Sequence, residues 1–213
     1  MKTRASYMII IALVLSSFIV SYLLIDRMPG EMTSHWGLYG EADGSMSRGW
    51  VLFLLPSLTA VFSLLMVVLP YFDPLRANVE KFMGYYAGFI ASFAAFMTYL
   101  HALTLAWNLG LQFNILQWLA PAFGGLMYSV GVLMEHSLRN WFIGVRTPWT
   151  ISSDVVWAKT HKVAGRLFKV SGVICLLGVI APRYFIILLL ASVLPSSIYT
   201  VLYSYIEYRK EKR

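Results

Sequence analysis

Apolar residues along this chain gather into long stretches that no charge interrupts, and short polar stretches separate them. Residues 7–25, 50–72 and 184–206 contain no Asp, Glu, Lys or Arg over 19, 23 and 23 positions. Residues 82–134 form a charge-free run of 53, too long for one crossing of a hydrocarbon core that takes about 20 residues of helix. Asn108, Gly110, Gln112 and Asn114 interrupt it, so it predicts a helical hairpin of about 84–107 and then 115–134. Residues 170–182 are the shortest run at 13; it lengthens to about Leu167 if Lys169 keeps its ammonium at the headgroups and its stem in lipid. Backbone amides in lipid have to pair within their own segment, so each run predicts a helix. The pattern is that of an all-α integral membrane protein with six transmembrane helices.

Composition supports this reading. The 213 residues are 59% hydrophobic and 13% charged, whereas soluble domains run near 45–50% apolar and about 25% charged. An ordinary soluble enzyme is excluded. Charge then orients the chain, because cytoplasmic segments of membrane proteins collect Lys and Arg. With both termini cytoplasmic, fourteen of the 17 cations fall inside and only Arg27, Arg48 and Arg183 outside. The inner set begins with Lys2 and Arg4 and ends with Lys212 and Arg213. The net charge of +7 and basic isoelectric point of about 9.5 thus report topology and contact with anionic lipid, not direct binding of nucleic acid. Lys2 and Arg4 ahead of an apolar run resemble a signal peptide, but the run is longer than such signals use, and a retained first helix is expected. The lone Cys175 excludes an intramolecular disulfide and a cysteine-cluster metal site.

Three units follow: residues 1–72 with two spans and an outer loop at 26–49, residues 73–134 as the hairpin, and residues 135–213 with an inner segment at 135–165 ahead of the last two spans. Gly84, Gly88 and Ser92 recur every four residues on the third span, and Gly125 and Ser129 on the fourth. Small residues at that spacing let helices approach closely in lipid, so a tight contact between spans three and four is expected; a second copy of the chain is the other candidate for that face. Pro56 and Pro195 remove backbone hydrogen bonds inside spans two and six and predict kinks. His101 is the ionisable residue within the hairpin. An intramembrane histidine is a functional candidate by default, although its depth near the outer interface also allows a bond to headgroup or water.

The remaining polar chemistry lies in two loops. The outer loop carries P-G-E-M-T-S-H-W-G-L-Y-G-E-A-D-G at 29–44. Its glycines and Pro29 mark turns, and a structured cap over the helix ends is expected. His35, Trp36 and Asp43 are its candidate binding residues. His35, Glu41 and Asp43 could offer nitrogen and oxygen to a metal, but their spacing matches no helical ligand pattern, and neither metal nor cofactor is assigned. In the inner segment Pro148 stops any helix leaving the fourth span, and Ser152 or Ser153 can cap a new helix from about Asp154 to Ala164. Asp154, Trp157, His161 and Ala164 share one face of it, which predicts a short cytoplasmic interfacial helix. Arg139 and Arg146 can fork onto phosphate or carboxylate; Trp141, Trp149 and Trp157 can anchor at headgroups. A hydrolytic triad of Ser152 or Ser153, Asp154 and His161 fails on distance, since seven residues of helix span about 10 Å.

The stretch R-N-W-F-I-G-V-R-T-P-W-T-I-S-S-D-V-V-W-A-K-T-H at 139–161 resembles the signature of the SdpI-like family of bacterial toxin-immunity membrane proteins. The outer P-G-E-M-T-S-H-W-G segment resembles a domain of unknown function that often precedes it. The resemblance implies a multi-pass cell-membrane protein that is not an enzyme. It also implies protection from a secreted peptide toxin and capture of a transcriptional repressor at the cytoplasmic face. His35, Trp36 and Asp43 would then meet a peptide or lipid ligand outside. Arg139, Arg146, Trp149, Asp154, Trp157 and His161 would form the inner face for a partner or anionic lipid. The residues alone leave a second reading open, a transporter or lipid-modifying enzyme with His101 in a polar cavity, and a third, an assembly partner without a ligand.

Overall fold

The computed structural model describes residues 3–212; Lys2 and Arg213, two of the cations assigned to the inner side, lie outside the described residues. Helix α1 (Thr3–Leu24) leads into a β-hairpin of β1 (Glu31–Trp36) and β2 (Ala42–Ser47). Then come α2 (Arg48–Val68), α3 (Arg76–Asn108) and α4 (Ile115–His136). The short α5 (Pro148–Ser152), α6 (Asp154–Cys175) and α7 (Phe185–Glu211) complete the chain. With the 3-10 turns that extend some of them, α1, α2, α3, α4 and α7 are long and apolar enough to cross a membrane. The protein is a multi-pass membrane protein, mostly helical, and the hairpin is its departure from an all-α fold. Its strands carry polar residues on both faces, so no alternation of apolar and polar positions marks them.

The helix ends follow local chemistry. Asn108 ends α3, Gly110 takes a φ of +96° that glycine tolerates, and the Asn114 side chain accepts from the backbone N–H of Leu116 and Gln117 to start α4. The polar interruption seen in the sequence is therefore a loop plus a cap. Helical backbone runs unbroken through Pro56, Pro121 and Pro195, and the helical dihedrals fail instead at Phe82 in α3 (φ −117°, ψ 15°).

Two expectations are corrected. The inner helix does not stop near Ala164: α6 continues for 22 residues, and a 3-10 turn at Leu176–Val179 prolongs it. No proline lies between Pro148 and Pro182 to end it, and its apolar side, Val156, Trp157 and Ala164, is buried against protein rather than laid on a membrane surface. Lys169 does not snorkel; its ammonium meets Glu135 of α4 at 2.7 Å. The closest helix pair is also a different one. A Cβ on Gly131 would lie 2.6 Å from the carbonyl oxygen of Gly165, and one on Gly172 would lie 2.6 Å from that of Gly124. Seven-residue spacing on each helix, Gly124 with Gly131 and Gly165 with Gly172, thus lets α4 and α6 run antiparallel at backbone contact. Nothing approaches the Cβ position of Gly88 or Gly125 within 4 Å. Small residues at the expected spacing exist on both helices, but the contact uses the neighbouring face, one residue away at Gly124.

Packing divides the helices into two groups. α3 packs against α1 and α2, α6 packs against α4 and α7, and the contact of α3 with α4 joins the groups. α2 and α7 do not pack closely on one another. At the far end of the α4 and α6 pair, Gln117 Nε2 donates to the carbonyl of Val179 (3.0 Å), so α6 with its 3-10 turn accompanies α4 along its length.

Candidate functional site

The outer hairpin is rooted at its foot and open at its tip. Met28 and Met32 are buried with Val51, Leu52 and Leu105. The Asn108 side chain grips β1 from both sides, accepting from Thr33 N–H at 2.8 Å and donating to its carbonyl at 3.0 Å. The strand register slips on either side of His35, which faces Gly44, where a Cβ would come within 3.0 Å of the histidine's own Cβ. This irregularity sets His35 beside Asp43: its Nδ1 pairs with an Asp43 carboxylate oxygen, with side chains 72% and 44% exposed. An exposed pair adds little stability, so its display is its main property. Glu41 accepts from Tyr39 N–H at 3.1 Å, closing the turn. Among the described residues no three His, Cys, Asp or Glu side chains converge as a metal set. Trp36 packs edge-on against Trp107 (5.8 Å between centroids), which meets Phe113 in the same way (5.5 Å).

Beneath the hairpin lies a cavity of about 540 Å³, within the range of small-molecule sites. Val51 and Leu55 of α2 form one side of it, Phe185 and Ile186 of α7 the other, and Leu119 and Phe123 of α4 its depth. The cavity could not be read from the sequence, because its walls come from segments more than a hundred residues apart.

The inner residues meet a different fate. Residues 137–161 fold into a knot in which most side chains of the motif bind the loop's own backbone. Asn140, fully buried, accepts from the N–H groups of Phe142 and Ile143 and donates to the carbonyls of Leu138 and Ile143. Thr147 and Thr150 form a reciprocal cap on α5, and Ser153 caps α6 by accepting from Val156 N–H. Trp157 donates to the carbonyl of Ser137 at 2.9 Å and stacks on His161 with centroids 4.0 Å apart. Val145 N–H donates to His161 Nε2 (2.9 Å), which leaves the ring proton on Nδ1 for the Trp157 carbonyl (2.9 Å). Burial holds this imidazole below its ordinary range, at about 4. Gly144, at φ +107°, faces the His161 ring so closely that any Cβ would overlap it.

Arg139 pairs with Asp154 at 2.8 Å and donates to the carbonyl of Ile151 (2.9 Å). Trp157 and His161 are each 1% exposed, so neither is free to meet a partner, whereas Arg146 and Asp154 of the expected inner face stay exposed. Both ring nitrogens of His161 are engaged, which removes it as a base for any serine. What this end displays is Trp141, Arg146, half-buried Trp149 and Pro148. Trp149 rests on Tyr205 of α7, and Arg146 donates to the Trp141 carbonyl at 2.6 Å. The sequence reading passed over Asp73, whose buried carboxylate accepts from Leu75 and Trp141 N–H, and over Asn140 and Gly144. An acid, an amide and a glycine at the borders of apolar runs were the signals.

His101 does not face headgroups or water. It is 2% exposed where α1, α2 and α3 meet, and its Nε2 lies 2.8 Å from Ser21 Oγ, which itself donates to the Leu52 carbonyl. The geometry makes it a bond between three helices.

Against known proteins, residues 138–204 match the SdpI/YfhL protein family and residues 12–60 match a domain of unknown function, DUF1648. The first match begins at the inner knot, and the second contains the hairpin. Over 211 residues the chain is 26% identical to the immunity protein SdpI of Bacillus subtilis (strain 168), covering 99% of this chain and 98% of that protein. No solved structure matches. End-to-end likeness, the family match over the knot and the apolar helices together make this chain similar to the SdpI-like membrane proteins.

Proposed function

We propose that this protein is a non-enzymatic immunity protein of the cell membrane that meets a secreted peptide toxin at its outer hairpin and a cytoplasmic regulator at its inner end. The carrying observation is the His35–Asp43 pair, displayed on a hairpin whose foot is buried. Trp36 would add an aromatic surface beside it. At the inner end the binding surface would be Trp141, Arg146 and Trp149, held in shape by Arg139, Asp154, Trp157 and His161. The name of the SdpI relative supports the immunity role. In this reading α6 is the fifth of six crossings from about Leu167 onward, because it accompanies α4 from the Glu135–Lys169 pair to the Gln117–Val179 bond. Both termini are then cytoplasmic, as the distribution of cations favours.

The test is survival of a toxin-sensitive strain that expresses the chain. Wild type is expected to protect, and Asp43→Ala to lose most protection at unchanged membrane abundance. Equal killing with and without wild-type protein would overturn the immunity role.

A further inference from the structure

The cavity under the hairpin shares His35 and Trp36 with the surface proposed above, and its remaining walls point to a specific occupant. Away from the hairpin they are hydrocarbon: Leu100, Leu119, Phe123 and Ile186 come from three helices of both groups. Polar groups line only the other end, as Ser34, His35 and Thr104. The indole N–H of Trp36, also in that lining, is buried without a hydrogen-bond partner, an omission that costs free energy unless a ligand supplies an acceptor. The hairpin roofs the cavity on the polar side. Its walls include residues of α2 and α7, which do not pack closely together, and a gap between them would open sideways, toward the hydrocarbon of the bilayer. A chain arriving from water would first have to displace the hairpin.

One cation lies beside the hairpin turn, close in sequence to the lining residues. Arg183 lies over the Tyr39 ring at 5.5 Å, three residues ahead of Ile186, and none of the ion pairs among the described residues involves it. A guanidinium held by an aromatic face keeps its donors for a phosphate.

We propose that this cavity is a phospholipid site: one acyl chain enters between α2 and α7 and fills the space under the hairpin, while the headgroup phosphate meets Arg183 and an ester or phosphate oxygen takes the Trp36 indole proton. This site lies beyond the immunity reading and does not depend on it.

The test uses purified full-length protein in vesicles of phosphatidylcholine and phosphatidylglycerol, with no toxin present. A trace of phosphatidylglycerol carrying a diazirine midway along one acyl chain is activated by light, and the adducts are mapped by mass spectrometry. Adducts are expected at Leu100, Leu119 and Phe123 inside the cavity, besides those at Ile11 and Leu15 on the exposed face of α1. Leu119→Trp, which fills the cavity, is expected to cut the inner adducts about tenfold, equivalent to about 1.4 kcal/mol, and to leave the α1 adducts unchanged. Leu55→Phe fills it from the α2 side and is read in the same way should Leu119→Trp fail to fold. Arg183→Gln is expected to lower inner labelling by phosphatidylglycerol. Labelling confined to exposed faces, or inner labelling that neither filling variant reduces, overturns the site. Because no toxin is involved, this result stands apart from the survival assay.

Discussion

The two polar loops of this protein look alike in sequence, since each mixes histidine, tryptophan, acids and turn residues, yet they do opposite things with them. In the inner knot much of the polar chemistry faces inward, with Arg146 and Asp154 left outside. Asn140, Thr150, Trp157 and His161 are all buried and all bonded to backbone of the same segment. In the hairpin the foot is buried and the charged pair at the tip is not. A rich motif therefore marks a binding surface only where its side chains have no backbone to hold. A buried loop has many orphan N–H and C=O groups, and the knot's polar residues are there to pair them.

The contrast can be broken most easily at Gly144. Alanine there meets both a left-handed φ and the His161 ring, so thermal unfolding in detergent should show a loss of about 3 kcal/mol or more. Acid is the next lever. His161 bonds as a neutral ring at a pKa of about 4 and would titrate near 6.5 in an unfolded chain. Its contribution is thus complete above pH 6.5 and declines as pH falls toward 4, by about 3 kcal/mol in all; denaturant midpoints measured across that range should fall, and should flatten in His161→Gln. At the hairpin tip, Gly40→Ala strains a φ of +89° and brings a Cβ to 3.0 Å from Asn114 Oδ1, and should cost about 1–2 kcal/mol, visible as a shift in melting temperature. Asp43→Ala should move stability by less than about 0.5 kcal/mol, its effect appearing only in toxin survival. Were Asp43→Ala to destabilise the protein as much as Gly144→Ala, the distinction between the loops would fail.

Much of this was legible in advance. Charge-free runs located five long helices to within several residues at each end, because the cost of charge in lipid leaves so little freedom. Ser153, one of two serines expected to cap the inner helix, does so, while Asn114 reads in the sequence only as an interruption of the apolar run. The hairpin was missed since neither strand alternates, and the length of α6 was missed because its cations read as a surface. Lys169 and Glu135 cancel one another across a glycine-lined contact that no single helix discloses. The burial of Trp157 and His161 depended on Gly144, whose importance lies in an absent Cβ.

Helix α3 has one further property. Near its first turn, Asn78 donates to the Arg139 carbonyl in the knot (2.9 Å), and at its last residue Asn108 holds Thr33 of the hairpin. Thirty residues of helix, about 45 Å at 1.5 Å each, are pinned at both ends by amides to the two loops. The two loops are thus tied to opposite ends of one helix, which departs from helical dihedrals once, at Phe82.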